Sequence, residues 1–305
     1  MLQSMRARFR MRKANTLSQA VFFLVVLYVC AYLGLRGFVA KTGLFKQKVQ
    51  TASVVFSSMK CENKLCSDLE RQIERNCEMS FKNLNPGAIE FVRIPSFVIR
   101  HNKYGLPELH SLFQYVYELY PRASTYTYVN SDLMADKSFH QTIKLVSENL
   151  KGKEFVMIGA RTDVLWNENW SWATDFDFAS IFKSGTIARL DAIDYFVTTR
   201  NAIRWQDVPP FVIGRPAFDN WLVNYAAQSP NVILIDVSKT LKMLHQSRKA
   251  GLDHWESMSM VDDRDFNRRM GRGGYHTGYI NIARCYTKHS FFYMRLAGYC
   301  KASML

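Results

Sequence analysis

The stretch TYTYVNSDLMADKSFHQTIKLVSENLKGKEFVMIGAR, residues 125–161, decides how the chain is read. TYTYVNSD at 125–132 is aromatic and β-branched and then breaks into Asn130-Ser131-Asp132, turn chemistry that closes a strand. A helix-favouring stretch covers 136–150, and KEFVMIGAR at 153–161 is a second apolar run. Strand, turn, helix, strand is one βαβ unit, and it predicts a mostly parallel sheet with helices packed on it.

The same alternation continues on both sides. Upstream, SVVFSSM at 53–59 reads as a first strand, a polar helix-favouring stretch runs to about residue 80, and AIEFVRIPSF at 88–97 is a strand interrupted by Pro95. Leu109, Leu112, Phe113, Val116 and Leu119 recur at helical spacing over 107–120, and Pro121 ends that helix. Downstream, 162–185 shows no clear period, holds Trp166, Trp170 and Trp172, and reads as a long loop, a kind of segment that is usually functional. DYFVTTR at 194–200 and VILIDVS at 232–238 are strands; between them 209–228 reads as a strand, a loop and a helix starting near Pro216. The tail from 262 is mixed and carries the glycine-rich GRGGYHTG at 271–278, which lacks the Lys-Ser/Thr ending of a phosphate-binding P-loop.

The N-terminus has a different character. Leu17 to Leu35 contains no charge, and about 20 apolar residues are enough to cross a hydrocarbon core. The run is longer than the apolar part of a signal peptide, and no small-residue cleavage site follows before Arg36. Arg6, Arg8, Arg10, Arg12 and Lys13 precede it in a tail without acids, so the N-terminus is expected to stay cytosolic. The expected organisation is a basic tail at 1–16, a membrane-spanning signal anchor at 17–36, a polar stem at 37–52 and a lumenal α/β domain at 53–305. The 305 residues carry a net charge of +14. That charge suits a membrane surface or an anionic ligand, and no nucleic-acid-binding motif accompanies it.

A lumenal domain places its cysteines in an oxidising compartment. Outside the span these are Cys61, Cys66, Cys77, Cys285 and Cys300, an odd number that leaves one thiol over; the pairing is not readable. Asn169-Trp170-Ser171 is an N-glycosylation sequon at Asn169, which would make the chain a glycoprotein.

YTYVNSDL at 126–133, FVMIGAR at 155–161, DYFV at 194–197, PPFVIGRPAFDNWLV at 209–223 and LHQ at 244–246 resemble GT-A-type glycosyltransferases, the nucleotide-diphospho-sugar transferases, in order and approximate spacing. The resemblance implies a Rossmann-like α/β fold, a nucleotide-sugar donor, and a divalent cation, Mn²⁺ or Mg²⁺, held by an Asp-x-Asp motif after a central strand. This chain has Asn130-Ser131-Asp132 there, which leaves Asp132 as the metal ligand and Asn130 and Ser131 as donor contacts. A turn that caps the next helix is the alternative use of those residues.

The resemblance also implies His245 as a second ligand returning from the C-terminal part, acceptable to Mn²⁺, although a lone His is more often a satisfied polar residue. Asp219 in the PPFVIGRPAFDNWLV segment is expected as the general base on an acceptor hydroxyl, or else as an acid complementing its helix dipole. Arg161 and Asp163 lie beyond the end of a strand, where α/β ligands gather, and suit a donor contact or a mutual ion pair. Arg215 is placed to reach a phosphate, and Trp170 and Trp172 to stack on an acceptor sugar.

The resulting expectation is a metal-assisted glycosyltransferase of the Golgi or endoplasmic reticulum membrane, acting on a glycan, protein or lipid acceptor. The alternatives are a noncatalytic lumenal protein of the same fold that binds glycans or scaffolds, suggested by the incomplete acidic motif, and another membrane-tethered α/β transferase such as a sulfotransferase.

Overall fold

The computed structural model describes residues 53–58, 68–85, 87–167, 176–247, 265–274, 276–290 and 293–296, all within one compact unit spanning residues 50–305. The tail, anchor and stem, the sequon at Asn169, and Trp170 and Trp172 lie outside them. Among the described residues no helix is long and apolar enough to cross a membrane.

The expected strands assemble into one sheet. β1 (Ser53–Ser58), β2 (Ile89–Ile94) and β3 (Thr125–Val129) run parallel, with Val55 opposite Phe91 on one side and Thr127 on the other. β5 (Glu154–Ile158), β9 (Val232–Asp236) and β11 (Cys285–Ser290) continue the parallel set. Two strands oppose it: β12 (Tyr293–Leu296) at one edge, and β8 (Tyr195–Thr198) between β3 and β5. The order is β12-β11-β9-β5-β8-β3-β1-β2. The fold is therefore mixed α/β around a large, mostly parallel sheet, as residues 125–161 suggested, with one reversed strand at its centre.

Alternation along the strands sorts their side chains to two covered faces. Val54, Phe56, Val156, Ile158 and Phe196 face α2 (Leu109–Leu119) and α5 (Phe218–Gln228). Val55, Phe155, Met157, Tyr195 and Val197 face α1 (Asp68–Lys82) and α3 (Ser138–Asn149). Every residue of β3 and β8 is buried, so these strands read as continuous runs. Phe56 shows the density of this packing: it meets Phe113 edge-on at 4.8 Å and Tyr128 at 6.1 Å. Truncating such a ring costs roughly 3–5 kcal/mol.

The segment 162–185 departs from the expected long loop. It opens with β6 (Thr162–Leu165) and includes α4 (Phe178–Ser184), with β7 (Thr186–Ile187) just after it. With β4 (Leu133–Ala135) and β10 (Met243–Ser247) these strands form a second sheet in the order β4-β10-β6-β7. His245 is inside β10, opposite Leu133 on one side and Asp163 on the other. Residues 209–217 form no strand beyond a bridge between Glu108 and Val212, and α5 starts at Phe218 rather than at Pro216. The tail contributes α6 (Phe266–Met270), β11 and β12.

Of the described cysteines, Cys77 is free and buried, and Cys285 is disulfide-bonded to a partner outside the described residues.

Candidate active site

The reversed strand β8 determines which residues meet. Because it runs against β3, Val129 faces Tyr195, and the residue before β8, Asp194, arrives beside the residue after β3, Asn130. Asn130 N–H donates to Asp194 O at 2.9 Å. The side chains then repeat the pairing. Tyr128 OH donates to Asn130 Oδ1, and Asn130 Nδ2 donates to Asp194 Oδ1, each at 2.8 Å.

From Asp194 the contacts run through the second sheet and back. Asp194 Oδ2 pairs with Arg161 Nη1, and Arg161 Nε donates to Asp163 Oδ1 at 2.8 Å. The same Asp163 oxygen lies 2.9 Å from His245 Nδ1, while His245 Nε2 faces Asp132 Oδ2 at 3.5 Å. Asp132 is two residues from Asn130, so the chain of contacts closes on itself. The bonds account for both residues of the Arg161–Asp163 ion pair, which was one of the two roles expected of them.

Electrostatics follow from that closure. Burial pushes the His245 imidazolium down, but the charge of Asp132 and the hydrogen bonds to Asp132 and Asp163 outweigh it, so His245 holds its proton above the usual range. Burial lifts Asp163, and His245 and Arg161 together bring it below the ordinary carboxylate value. Asp163 thus lies between Arg161 and His245, with Asp194 on the far side of Arg161 and Asp132 on the far side of His245.

Those residues fit a divalent metal on one side. A carboxylate acceptor at Asp163 orients His245 through Nδ1–H and turns Nε2 toward Asp132, so Nε2 is the nitrogen that would meet a metal held there; carboxylate-oriented histidines of this kind are usual metal ligands. Among the described residues no group of three or more His, Cys, Asp or Glu side chains is disposed to hold a metal ion. Asp132 and His245 would supply two of the six positions of an octahedral Mn²⁺ or Mg²⁺, which leaves four for other oxygens.

Asp219 approaches from the other face of the sheet. It is in the first turn of α5, partly exposed, with its proton held up to about 6, mainly by burial; the N–H of Asn220 on Oδ1 at 2.9 Å and the charge of Arg161 oppose that shift, and Asp191 adds to it. Tyr128 is buried, and after burial itself the charges of Asp132 and Asp219 raise its phenol, so both carboxylates lie within electrostatic reach of it.

The loop that delivers Asp219 is held under strain. Ala217, at the start of α5, has φ of 87°, a left-handed conformation costing a non-glycine residue about 1–2 kcal/mol. Buried Asn267 fastens the loop, accepting from Val212 N–H at 2.9 Å and donating to the carbonyls of Val212 and Arg215, both at 2.8 Å. Asn220 Nδ2 donates to Gly278 O at 2.9 Å, and a Cβ on Gly278 would come within 1.6 Å of Asn220 O. Gly271, Gly274 and Gly278 therefore form a collar packed on the first turns of α5, with Gly271 and Gly274 against Trp221.

Of the residues singled out in the sequence, Asn130, Asp132, Arg161, Asp163 and His245 share one ring of contacts, and Asp219 lies within electrostatic reach of it. Ser131 is only 6% exposed. Arg215 turns back on its own chain, with Nη1 donating to Gly214 O at 2.7 Å. Trp170, Trp172 and Asn169 are outside the described residues.

Tyr128, Asp194 and Asn267 were not singled out. Asp194, an acid directly before the buried run YFVT, carried a local signal. Gln246, quoted in LHQ but given no role, is fixed beside His245: its N–H donates to Asp132 O at 3.0 Å, its Oε1 accepts from Asn76 Nδ2 at 3.0 Å, and its side chain is buried.

Comparison with known proteins gives little beyond this geometry. No model of a known protein family matches the chain, and no curated protein matches it. Among solved structures it is similar to a glycosyltransferase involved in the glycosylation of the major capsid of PBCV-1. That likeness has 11% identity and a TM-score of 0.34, and covers 68% of this chain and all of the other.

Proposed function

We propose that the chain is a glycosyltransferase that moves a sugar from a nucleotide-sugar to an acceptor hydroxyl. One observation carries the reading: Asp132 and His245 stand 3.5 Å apart beyond the end of a central parallel strand, the place where α/β sheets take their ligands, and Asp219 is within electrostatic reach of Arg161 in the same ring of contacts. The motifs that resemble GT-A enzymes fall on those same residues.

When bound, Mn²⁺ or Mg²⁺ would neutralise the charge that grows on the departing diphosphate. Asp132 and His245 Nε2 would hold it, with His245 kept in orientation by Asp163. Asp219 accepts the proton of the acceptor hydroxyl as its oxygen bonds to the anomeric carbon, and the bond from that carbon to the diphosphate oxygen breaks with its electron pair staying on the diphosphate. A base poised near 6 is well matched to that proton transfer at neutral pH. Attack from the side opposite the leaving group, assisted by such a base, inverts the anomeric configuration. Arg161 is already engaged by Asp163 and Asp194, so its role is to position those carboxylates.

The membrane anchor at 17–36, a lumenal orientation and residence in the Golgi or endoplasmic reticulum belong to the same proposal. The disulfide at Cys285 supports an oxidising compartment.

The test is full-length chain in detergent, assayed for donor hydrolysis and transfer against a panel of nucleotide-sugars with Mn²⁺, beside Asp132→Ala and His245→Ala. Activity with one donor, reduced by roughly 100-fold or more in either variant, is expected. Absence of nucleotide binding under every metal condition would contradict the reading.

A further inference from the structure

An aspartate at position 130 would complete the acidic motif, yet the contacts around Asn130 make that exchange unfavourable. Oδ1 accepts from Tyr128 OH, and Nδ2 donates to Asp194 Oδ1. The orientation of the amide is not arbitrary, because ionised Asp194 can only accept, so the nitrogen must face it. A carboxylate here would point an acceptor at an acceptor 2.8 Å away, with no hydrogen between them.

Asp194 cannot simply turn aside. Its other oxygen pairs with Arg161 Nη1, and the same guanidinium orients Asp163, which in turn orients His245 toward Asp132. Each member is set by the previous one, and Asn130 is the member that begins at the end of β3.

We propose that Asn130 is a positioning residue needed as an amide: its Nδ2 holds Asp194, and through Arg161 and Asp163 it aims His245 Nε2 at Asp132. Asn-Ser-Asp is then the sequence this ring requires and not an eroded acidic motif. The inference rests on the reading of Asp132 and His245 as the metal and diphosphate site.

The contrast with charge counting makes it testable. If position 130 served only to supply or withhold a ligand, Asn130→Asp would add a carboxylate two residues from Asp132 and tighten Mn²⁺ binding. Repulsion from Asp194 predicts the opposite. The double exchange Asn130→Asp with Asp194→Asn keeps one amide and one carboxylate across the same gap and the same total charge. The amide then donates from position 194, and its oxygen still accepts from Arg161.

Full-length wild type, N130D, D194N and N130D/D194N would be compared by titration with Mn²⁺ alone, read from the paramagnetic resonance of free Mn²⁺, and by thermal melting. N130D is expected to lose about tenfold in Mn²⁺ affinity, the scale of a lost residue behind a ligand, and to melt roughly 3–6 °C lower. The double variant is expected to recover most of both losses.

Tighter Mn²⁺ binding by N130D, or a double variant no better than the sum of the single ones, would overturn the proposal. So would a melting shift in N130D with Mn²⁺ affinity unchanged, since that describes a purely structural amide. Should wild type bind no Mn²⁺, the metal site itself fails, while recovery of the melting temperature in the double variant still reads the pairing of Asn130 with Asp194.

Discussion

At the scale of single residues, the raised proton affinity of Asp219 gives the sharpest test. Its proton leaves at about 6 instead of the ordinary 3.8, so a rate that needs it as base rises with pH through about 6 and then levels; a profile flat from pH 5 to 8 would contradict that role. The same shift acts on stability. Below the ordinary value both folded and unfolded chains carry the proton. As pH rises toward about 6 the unfolded chain releases it first, and the folded state loses stability across that window. Asp219→Asn removes the loss while keeping an acceptor for Asn220 N–H. It is expected to be about 1–2 kcal/mol more stable at pH 7, allowing for the solvent that reaches the site, with the gain vanishing near pH 4, and roughly 10²–10⁴ slower. Denaturant melts at the two pH values and initial rates check both.

Residue types were readable because the chemistry needs few of them: a carboxylate in a turn after a strand, an imidazole near a later strand, an acid at a helix start. Which atoms they face was not. The sequence places Tyr128 two residues before Asn130 but not its hydroxyl on Oδ1, and Asp194 reaches Asn130 only because β8 runs against β3.

At the scale of elements, the second sheet is what the sequence conceals. β6 has four residues and β7 two, too short for a period of 2 to show against chance. Yet it is the register of β10 between β4 and β6 that sets His245 opposite Asp163. The glycine-rich segment, which the sequence already set apart from a P-loop, shows a use no motif announces: Gly271, Gly274 and Gly278 answer to packing against Asn220 and Trp221 of α5. Gly278→Ala would press a methyl group into Asn220 O, displace the first turn of α5 and carry Asp219 with it. It is expected to cost about 2 kcal/mol or more in stability, together with most of any activity; a variant as stable as wild type in urea melts would show that the collar yields easily.

At the scale of the whole molecule, the order of buried runs was enough to identify an α/β sheet, and strands β1, β2, β3, β5, β8 and β9 lie where the sequence put them, whereas 209–217 forms no strand and 162–185 is not the expected loop. The direction of β8 was not legible, because a strand buried on both faces carries the same residues whichever way it runs. Residues 50–305 form a compact unit of their own. Deleting residues 1–49 is therefore expected to leave a fragment with the same cooperative melt; loss of the folded state on deletion, measured by circular dichroism, would contradict that division. The fold also sets two cysteines apart. Reducing agent is expected to lower the melting temperature through the bond at Cys285, whereas Cys77, whose thiol is pushed up by burial and then by the charge of Asp132, should resist alkylation until the chain unfolds.

All three scales meet at the gap between Asp132 and His245, and anomalous diffraction from a crystal grown with Mn²⁺ and a nucleoside diphosphate examines it directly. The expected result is a manganese peak within roughly 2.0–2.4 Å of both Asp132 Oδ2 and His245 Nε2, with diphosphate oxygens filling the remaining positions. A nucleotide bound elsewhere on the sheet, or manganese that leaves the Asp132–His245 contact intact, would contradict it.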